Sequence, residues 1–474
     1  MVVRSIFVEA EWSSGRDLFL DLDRGRGLRN GIEHSLREAM RDGRLTAGCV
    51  LPSSRSLARD LGLARGTVSA AYSQLAAEGY LDSRQGAPTR VCWQPRRRLP
   101  PPSAPPVPGS LAQWDFRPGR PDSASFPRQD WLRACRRVMT QVPDDAFGYG
   151  AACGSARLRR VLADYLGRAR GVDTDAGRLL ICNGFTQALM LVCRVLRGAG
   201  AASLAVEDPA APRYRRLAQA EGLSVVPVAC DQDGLLVDEL ERSDAAAVLV
   251  TPAHQYPLGV TMTAGRRTAL AGWARRRNAL IIEDDYDGEF RYDRQPLGAL
   301  QRLDPERVIY VGSASKTLAP ALRLGWLSLP SAIRDALTAA KEELDRGSPV
   351  TEQLTLAELI QNGSFDRHVR RMRERYRRRR DQLAHAVAEV RPELRLAGIS
   401  AGLHAVIHLP GQLPSESEIQ ALAARHSIAL HTLGGYWHTP PTPCPRAVVI
   451  GYATPASHAY QPALSALTQL LAAI

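Results

Sequence analysis

Of the 61 lysines and arginines in this 474-residue chain, two are lysine, Lys316 and Lys341, so chemistry that needs an amine has two candidates. Arginine is no substitute, because its guanidinium stays protonated and forms no imine with an aldehyde. Lys316 lies in VIYVGSASKTLAPALRLGW (308–326), after an apolar run and a small-residue turn, Gly312 to Ser315. The backbone N–H groups and the hydroxyls of Ser313 and Ser315 in such a turn can hold a phosphate, and Arg323 adds a permanent positive charge. Lys341 has Glu342 and Glu343 beside it on a helical pattern and reads as a surface residue.

An amine beside a phosphate cradle points to pyridoxal 5′-phosphate held as a Schiff base. The other parts of such a site follow in order. IEDDYDGEF (282–290) ends an apolar run, where Asp284 can pair with a protonated pyridine nitrogen and Tyr286 can hydrogen-bond the ring hydroxyl. The alternative reading of that segment is a metal-binding acidic cluster. TPAHQYPLG (251–259) is a turn that would bring Tyr256 beside the ring. NGFTQAL (183–189) follows the run LLIC and opens a helix, and its N–H groups around Phe185, Thr186 and Gln187 can bind phosphate.

These segments need a scaffold that delivers each to one place. The apolar runs 179–182, 203–206, 224–228, 246–250, 280–282 and 308–311 are short and bounded by turns, as in strands buried on both faces. Helical patterns such as Arg266–Arg277 separate them. The fold class is therefore α/β with a mostly parallel sheet, and the chemistry sits at strand-to-helix junctions. The run RHVRRMRERYRRRR (367–380) reads by default as a solvated helix face, with a phosphate- or DNA-facing role as the alternative.

Ahead of this body, residues 1–93 form a separate module, and a Pro-rich spacer (94–114) that cannot build a helix or central strand divides the two. The body spans 115–474, with a large part at about 150–335 and a small part at about 340–474. LRNGIEHSLREAMRDGRL is an amphipathic helix, LPSSRSLARDLG a helix capped by Ser53 or Ser54, and ARGTVSAAYSQLAAEGYL a second helix with Val68, Ala71, Tyr72 and Leu75 on one face. LDSRQGAPTRVCW then makes two short strands around a turn. That order is a winged helix-turn-helix, which reads DNA with the start of the second helix of the pair. Arg55, Arg65, Thr67 and Ser69 can reach phosphates or base edges, with Arg84 and Gln85 on the wing. A helical protein-interaction module is the competing reading.

The net charge of +12 permits contact with nucleic acid, but the charge is not concentrated in the module. Residues 1–98 hold 16 Arg and 11 acidic residues, only +5 of the total. The eight cysteines include no C-x-x-C pair, which argues against a zinc site or disulfide framework and fits a reducing cytoplasm. No signal peptide and no membrane-spanning run is visible, so a cytoplasmic location is expected.

LPSSRSLARDLGLARGTVSAAYSQLAAEGYL closely resembles the GntR-type DNA-binding module, and the body resembles the fold-type I aminotransferases. The whole chain resembles the MocR/GabR family of bacterial regulators, through FRPGRPD, FPRQDW, HQYPLGVTM, IEDDYDGEFRY and SKTLAPALRLG. The resemblance implies Lys316 as the Schiff-base lysine, Asp284 on the pyridine nitrogen and Tyr286 on the ring oxygen. It implies Thr186, Ser313 and Arg323 on the phosphate, and Tyr149 reaching the partner's phosphate in a head-to-tail, domain-swapped homodimer. By the same resemblance Arg446 and Arg213 bind an effector carboxylate, and Arg55 and Arg65 contact DNA. Ala211 departs from the pattern where the family carries a ring-stacking aromatic, and Tyr256 stands where aminotransferases carry Asn.

The expected function is a pyridoxal phosphate-dependent transcriptional regulator that binds an operator in double-stranded DNA and senses an amino compound or the cofactor itself. The alternatives are an active aminotransferase with an accessory DNA-binding module, and a body that keeps the fold only as a dimer scaffold.

Overall fold

The computed structural model describes residues 27–84, 86–93, 112–292, 297–394 and 396–474. Gln85 and nearly all of the Pro-rich spacer lie outside the described residues. By its internal contacts the chain divides into two units, Met1–Leu111 and Ala112–Ile474.

In the first unit, α1 (Leu28–Arg41), α2 (Ser54–Asp60) and α3 (Arg65–Ala77) precede two antiparallel strands, β1 (Leu81–Asp82) and β2 (Arg90–Val91). Ser53 is the cap of α2, its hydroxyl accepting the Ser56 N–H at 3.1 Å. Tyr72 of α3 donates to the Pro52 carbonyl at 3.0 Å, tying the loop before α2 to α3. The face Val68, Ala71, Tyr72 and Leu75 is buried against Ile32, Leu36 and Met40 of α1, and Leu81 and Val91 close the core from the wing. Burying each large aliphatic contributes roughly 1.5–3 kcal/mol, which sets the angle at which α3 is presented.

The second unit is built on an eight-stranded sheet. Its strands are β3 (Leu179–Cys182), β4 (Ser203–Asp208), β5 (Ser224–Asp231), β6 (Gly234–Leu235), β7 (Ala247–Val250), β8 (Leu280–Asp284), β9 (Val308–Ser313) and β10 (Gly325–Ser328). The order is β3-β10-β9-β8-β7-β4-β5-β6. The central strands β9, β8, β7, β4 and β5 are parallel. All six expected strands are present. β10 was not expected; it runs antiparallel between β3 and β9. Its sequence GWLS is too short and mixed to announce a strand. Gly325 is required there, since a Cβ would stand 2.8 Å from the Gly184 Cα.

Helices follow the strands, among them α4 (Phe185–Gly198) after β3, α5 (Pro212–Ala220) after β4 and α6 (Ser331–Asp345) after β10. A smaller antiparallel sheet follows: β11 (Leu396–Ala397), β12 (His404–His408), β13 (His431–Thr432) and β14 (Ala447–Gly451), in the order β11-β12-β14-β13. The C-terminal ends of β8 and β9 deliver Asp284 and Ser313 to one rim of the large sheet, the position where open α/β sheets bind ligands. No helix among the described residues is long and apolar enough to cross a membrane.

Candidate functional site

Lys316 sits one turn beyond β9 in a cavity of about 670 Å³. Its walls come from segments far apart in the second unit. Gly119, Ala211, Arg213, Tyr214, Tyr256 and Tyr286 line one side, and Gln420, His431, Thr432 and Tyr436 line the other. The amine donates to the Gly119 carbonyl at 2.5 Å. Burial, helped by the nearby Arg213 charge, pulls its pKa down to about 8 against the weaker opposing pull of Asp284 and Asp287. A neutral, nucleophilic amine is thereby populated near neutral pH.

Asp284, the last residue of β8, is buried beside it. Burial pushes its carboxyl up to about 7, while a hydrogen bond from Tyr214 and the charges of Arg213 and Lys316 pull the other way. The Tyr214 hydroxyl donates to Asp284 Oδ2 at 2.8 Å. This contact was not legible from local sequence, because 70 residues separate the two positions. Tyr214 does not replace the aromatic missing at Ala211 by simple exchange. Its ring lies 5.2 Å from that of Phe185, and its hydroxyl is committed to Asp284.

Tyr286 lines the cavity, and its hydroxyl is turned to His254: it donates to the His254 carbonyl at 3.0 Å and lies 3.0 Å from Nδ1. Behind it Asp287 holds His254 Nδ1 at 2.8 Å. His404 packs on the His254 ring at 4.8 Å, and burial depresses its pKa to about 3, so this imidazole is neutral. Tyr256 faces Tyr436, hydroxyl to hydroxyl at 3.1 Å, and His431 Nδ1 meets the Tyr436 hydroxyl at 2.8 Å.

The second set of expected groups lies at the start of α4. Gly184 caps this helix with φ +87°, and no side chain caps it, so its first N–H groups lack helical partners. Arg323 packs against Gly184 and donates to the Asn183 carbonyl. Ser313 ends β9, and Thr186, Ser313 and Ser315 are half-buried. The backbone N–H of Gln187 donates to the Gly184 carbonyl at 3.1 Å, while its side chain donates to Asp345 and accepts the Asn183 N–H.

Two expectations are corrected. Arg446 does not line the cavity. Its guanidinium is spent on the carbonyls of Pro410, Leu413 and Pro414, because its side chain leaves the start of β14 toward that loop. Lys341 is not a surface residue; it is fully buried and paired with Asp345 at 2.6 Å. Tyr149, expected to reach a partner's phosphate, is 89% exposed, with the Arg346 guanidinium 4.6 Å over its ring. Arg213, in contrast, is a cavity residue, 5.5 Å over the Tyr214 ring.

These residues fit pyridoxal 5′-phosphate. Gly119 has φ +75°, and a Cβ there would stand 3.9 Å from Lys316 Nζ and 4.0 Å from the Tyr256 hydroxyl, so this glycine keeps the space above the amine open. A nucleophilic amine, a buried carboxylate and an uncapped helix start with an arginine match an aldehyde, a pyridine nitrogen and a phosphate.

In the first unit, Arg55 and Arg65 stand at the starts of α2 and α3, with Thr67 and Ser69 on the first turns of α3. Both arginines are exposed, and neither has an ion-pair partner among the described residues. The arginines of α1 differ: Arg29 and Arg37 pair with Glu33, and Arg41 pairs with Glu38. Arg84 on the wing lies 3.3 Å from Asp82. Uncompensated positive charge is thus placed where a recognition helix begins.

Residues 120–446 match the family model for aminotransferase class I and II, and residues 28–91 match that for bacterial regulatory proteins of the gntR family. The probable rhizopine catabolism regulatory protein MocR of Rhizobium meliloti is 30% identical, with 92% of each chain covered. The chain belongs to the MocR/GabR family of regulators. Other relatives agree. The HTH-type pyridoxine biosynthesis regulator PdxR of Corynebacterium glutamicum is 33% identical over 86% of this chain and 88% of its own. The uncharacterized HTH-type regulator YdeL of Bacillus subtilis is 35% identical over 88% of this chain and 91% of its own.

Among solved structures, the α-aminoadipate aminotransferase LysN of Thermus thermophilus, complexed with N-(5′-phosphopyridoxyl)-L-leucine, superposes with a TM-score of 0.66. It is 25% identical and covers 76% of this chain and 93% of its own. The kynurenine aminotransferase of Pyrococcus horikoshii has the same fold, with a TM-score of 0.67 at 24% identity over 77% and 91% of the two chains. This MocR/GabR protein is therefore a pyridoxal phosphate-dependent, DNA-binding transcriptional regulator with an aminotransferase-like body.

Proposed function

We propose that the body holds pyridoxal 5′-phosphate through Lys316 and senses an amino compound bearing a carboxylate, and that occupancy sets operator binding by the winged module. One observation carries this reading: the nucleophilic amine of Lys316 faces a cavity walled by segments far apart in the second unit. A ligand there touches both walls, so its binding can bias how they close.

In this reading Asp284 pairs with the pyridine nitrogen and Tyr286, oriented by His254, takes the ring oxygen. Tyr256 borders the ring. The N–H groups of Phe185 and Thr186, with Ser313, Ser315 and Arg323, take the phosphate, and Gln187 braces that loop. When bound, the cofactor supplies an aldehyde that condenses with amines. Arg213 receives the effector carboxylate, because its guanidinium stays charged and lies beside the amine. Arg446 has no part in this step.

The active assembly is a head-to-tail, domain-swapped homodimer. Leu132, Met139, Phe147 and Tyr149 are large apolar residues exposed along one stretch of the body, and Tyr149 is free to reach the partner's phosphate. Arg55, Arg65, Thr67, Ser69, Arg84 and Gln85 contact an operator with paired half-sites.

The test is binding of the purified chain to the intergenic DNA beside its own gene, with and without pyridoxal phosphate and amino compounds. Salt-dependent binding that shifts with these ligands is expected. Ligand-independent binding, together with turnover of an amino donor and a keto acid, would replace the regulatory reading with the enzymatic one.

A further inference from the structure

The second lysine is buried where no substrate can reach it, and it faces the phosphate loop from behind. Lys341, near the end of α6, pairs with Asp345 one turn later at 2.6 Å. The other carboxylate oxygen of Asp345 accepts from Gln187 Nε2 at 2.6 Å and from Asn183 Nδ2 at 3.1 Å. Gln187 in turn accepts the Asn183 N–H at 2.7 Å. Asn183 and Gln187 flank Gly184, the residue at which the chain turns from β3 into α4 with φ +87°. The Gly347 N–H adds a fourth contact on Asp345 at 3.0 Å, and the guanidinium of the intervening Arg346 lies over Tyr149.

A glycine turn has little conformational preference of its own. Here Asn183 before it and Gln187 three residues after it are both fixed to a single carboxylate, and that carboxylate is paired with a buried ammonium. An uncompensated ammonium at the depth of Lys341 would be costly, so the half-buried Asp345 carboxylate is held in place as its partner.

We propose that the Lys341–Asp345 pair is the positioning element of the phosphate cradle, holding Asn183 and Gln187 so that the first N–H groups of α4 converge on the cofactor's phosphate. The proposal rests on the pyridoxal phosphate reading of the site. The pair acts on the phosphate end alone, because neither residue lines the cavity around Lys316. Lys341 is thus a positioning residue and takes no part in the chemistry at the aldehyde.

The experiment compares two aldehydes that differ only by the phosphate. The full-length wild-type, Lys341→Met, Asp345→Asn and Gln187→Leu proteins are titrated with pyridoxal 5′-phosphate and with pyridoxal, following the imine absorption band. Each variant should lose about tenfold or more in affinity for the phosphorylated aldehyde, the loss expected when a charge-assisted hydrogen bond fails. Affinity for pyridoxal should stay within about twofold, so the ratio of the two falls. An unchanged ratio, or an equal loss for both aldehydes, overturns the proposal. Should the Lys341 and Asp345 variants fail to fold, Gln187→Leu leaves the Lys341–Asp345 pair intact and its ratio decides. A wild-type chain that takes up neither aldehyde overturns the cofactor reading itself, an outcome distinct from an unchanged ratio.

Discussion

The contact between Tyr214 and Asp284 allows a quantitative test of how the site is tuned. Tyr214→Phe removes one hydroxyl and leaves the ring against Phe185. The lost hydrogen bond, 2.8 Å long, runs from a buried donor to a buried carboxylate. Hydrogen bonds to charged groups are worth about 1.5–3 kcal/mol, and one pKa unit corresponds to about 1.36 kcal/mol. The Asp284 carboxyl, already pushed to about 7 by burial, should therefore rise by about one to two units. At pH 7.5 its ionised fraction falls from roughly three quarters to roughly one quarter or less. The assay is a carbon-13 NMR titration of the aspartate carboxyls in cofactor-free protein, with Asp284→Asn assigning the signal. A midpoint that stays in place, or falls, in Tyr214→Phe refutes the reasoning.

Other outcomes follow from the same geometry. With its amine pKa at about 8, Lys316 should take up pyridoxal phosphate at a rate that climbs through pH 8 and then levels. An ordinary lysine amine would give a rate still climbing at pH 10. The folded state holds this proton less tightly than the unfolded chain, so cofactor-free stability should increase with pH between about 8 and 10.5, as a thermal-unfolding series would record. Arg213→Ala should weaken effector binding by about tenfold or more through loss of a charge-assisted carboxylate contact. Arg446→Ala should lower the melting temperature and leave effector affinity unchanged, read by calorimetric titration. Arg65→Ala should weaken operator binding and, if the contact is to phosphate, reduce the salt-dependence slope by about 0.9; fluorescence anisotropy at several salt concentrations reads both.

Much of the fold was legible because its signals are local. Ser53 precedes a helical pattern, the buried strands are short apolar runs between turns, and Lys316 stands out by scarcity. What was missed depends on packing. β10 has four residues of mixed type and is a strand only because β3 and β9 flank it. Tyr436, His431 and Gln420 enter the cavity from the far part of the chain, where no spacing relates them to Lys316. Lys341 and Asp345 show the i, i+4 spacing of a helical pair, but the burial of Lys341 is set by the packing of α6 on α4. Arg446 precedes a strand as expected, yet the loop 410–414 supplies carbonyls that capture it.

The most direct test of the central claim is borohydride reduction of the purified chain with pyridoxal phosphate, followed by peptide mapping. The account predicts an imine absorption band in the wild-type protein, a reduced pyridoxyl label on the peptide containing Lys316, and loss of both in Lys316→Ala. A band that survives this substitution, or a label on the Lys341 peptide, would contradict it.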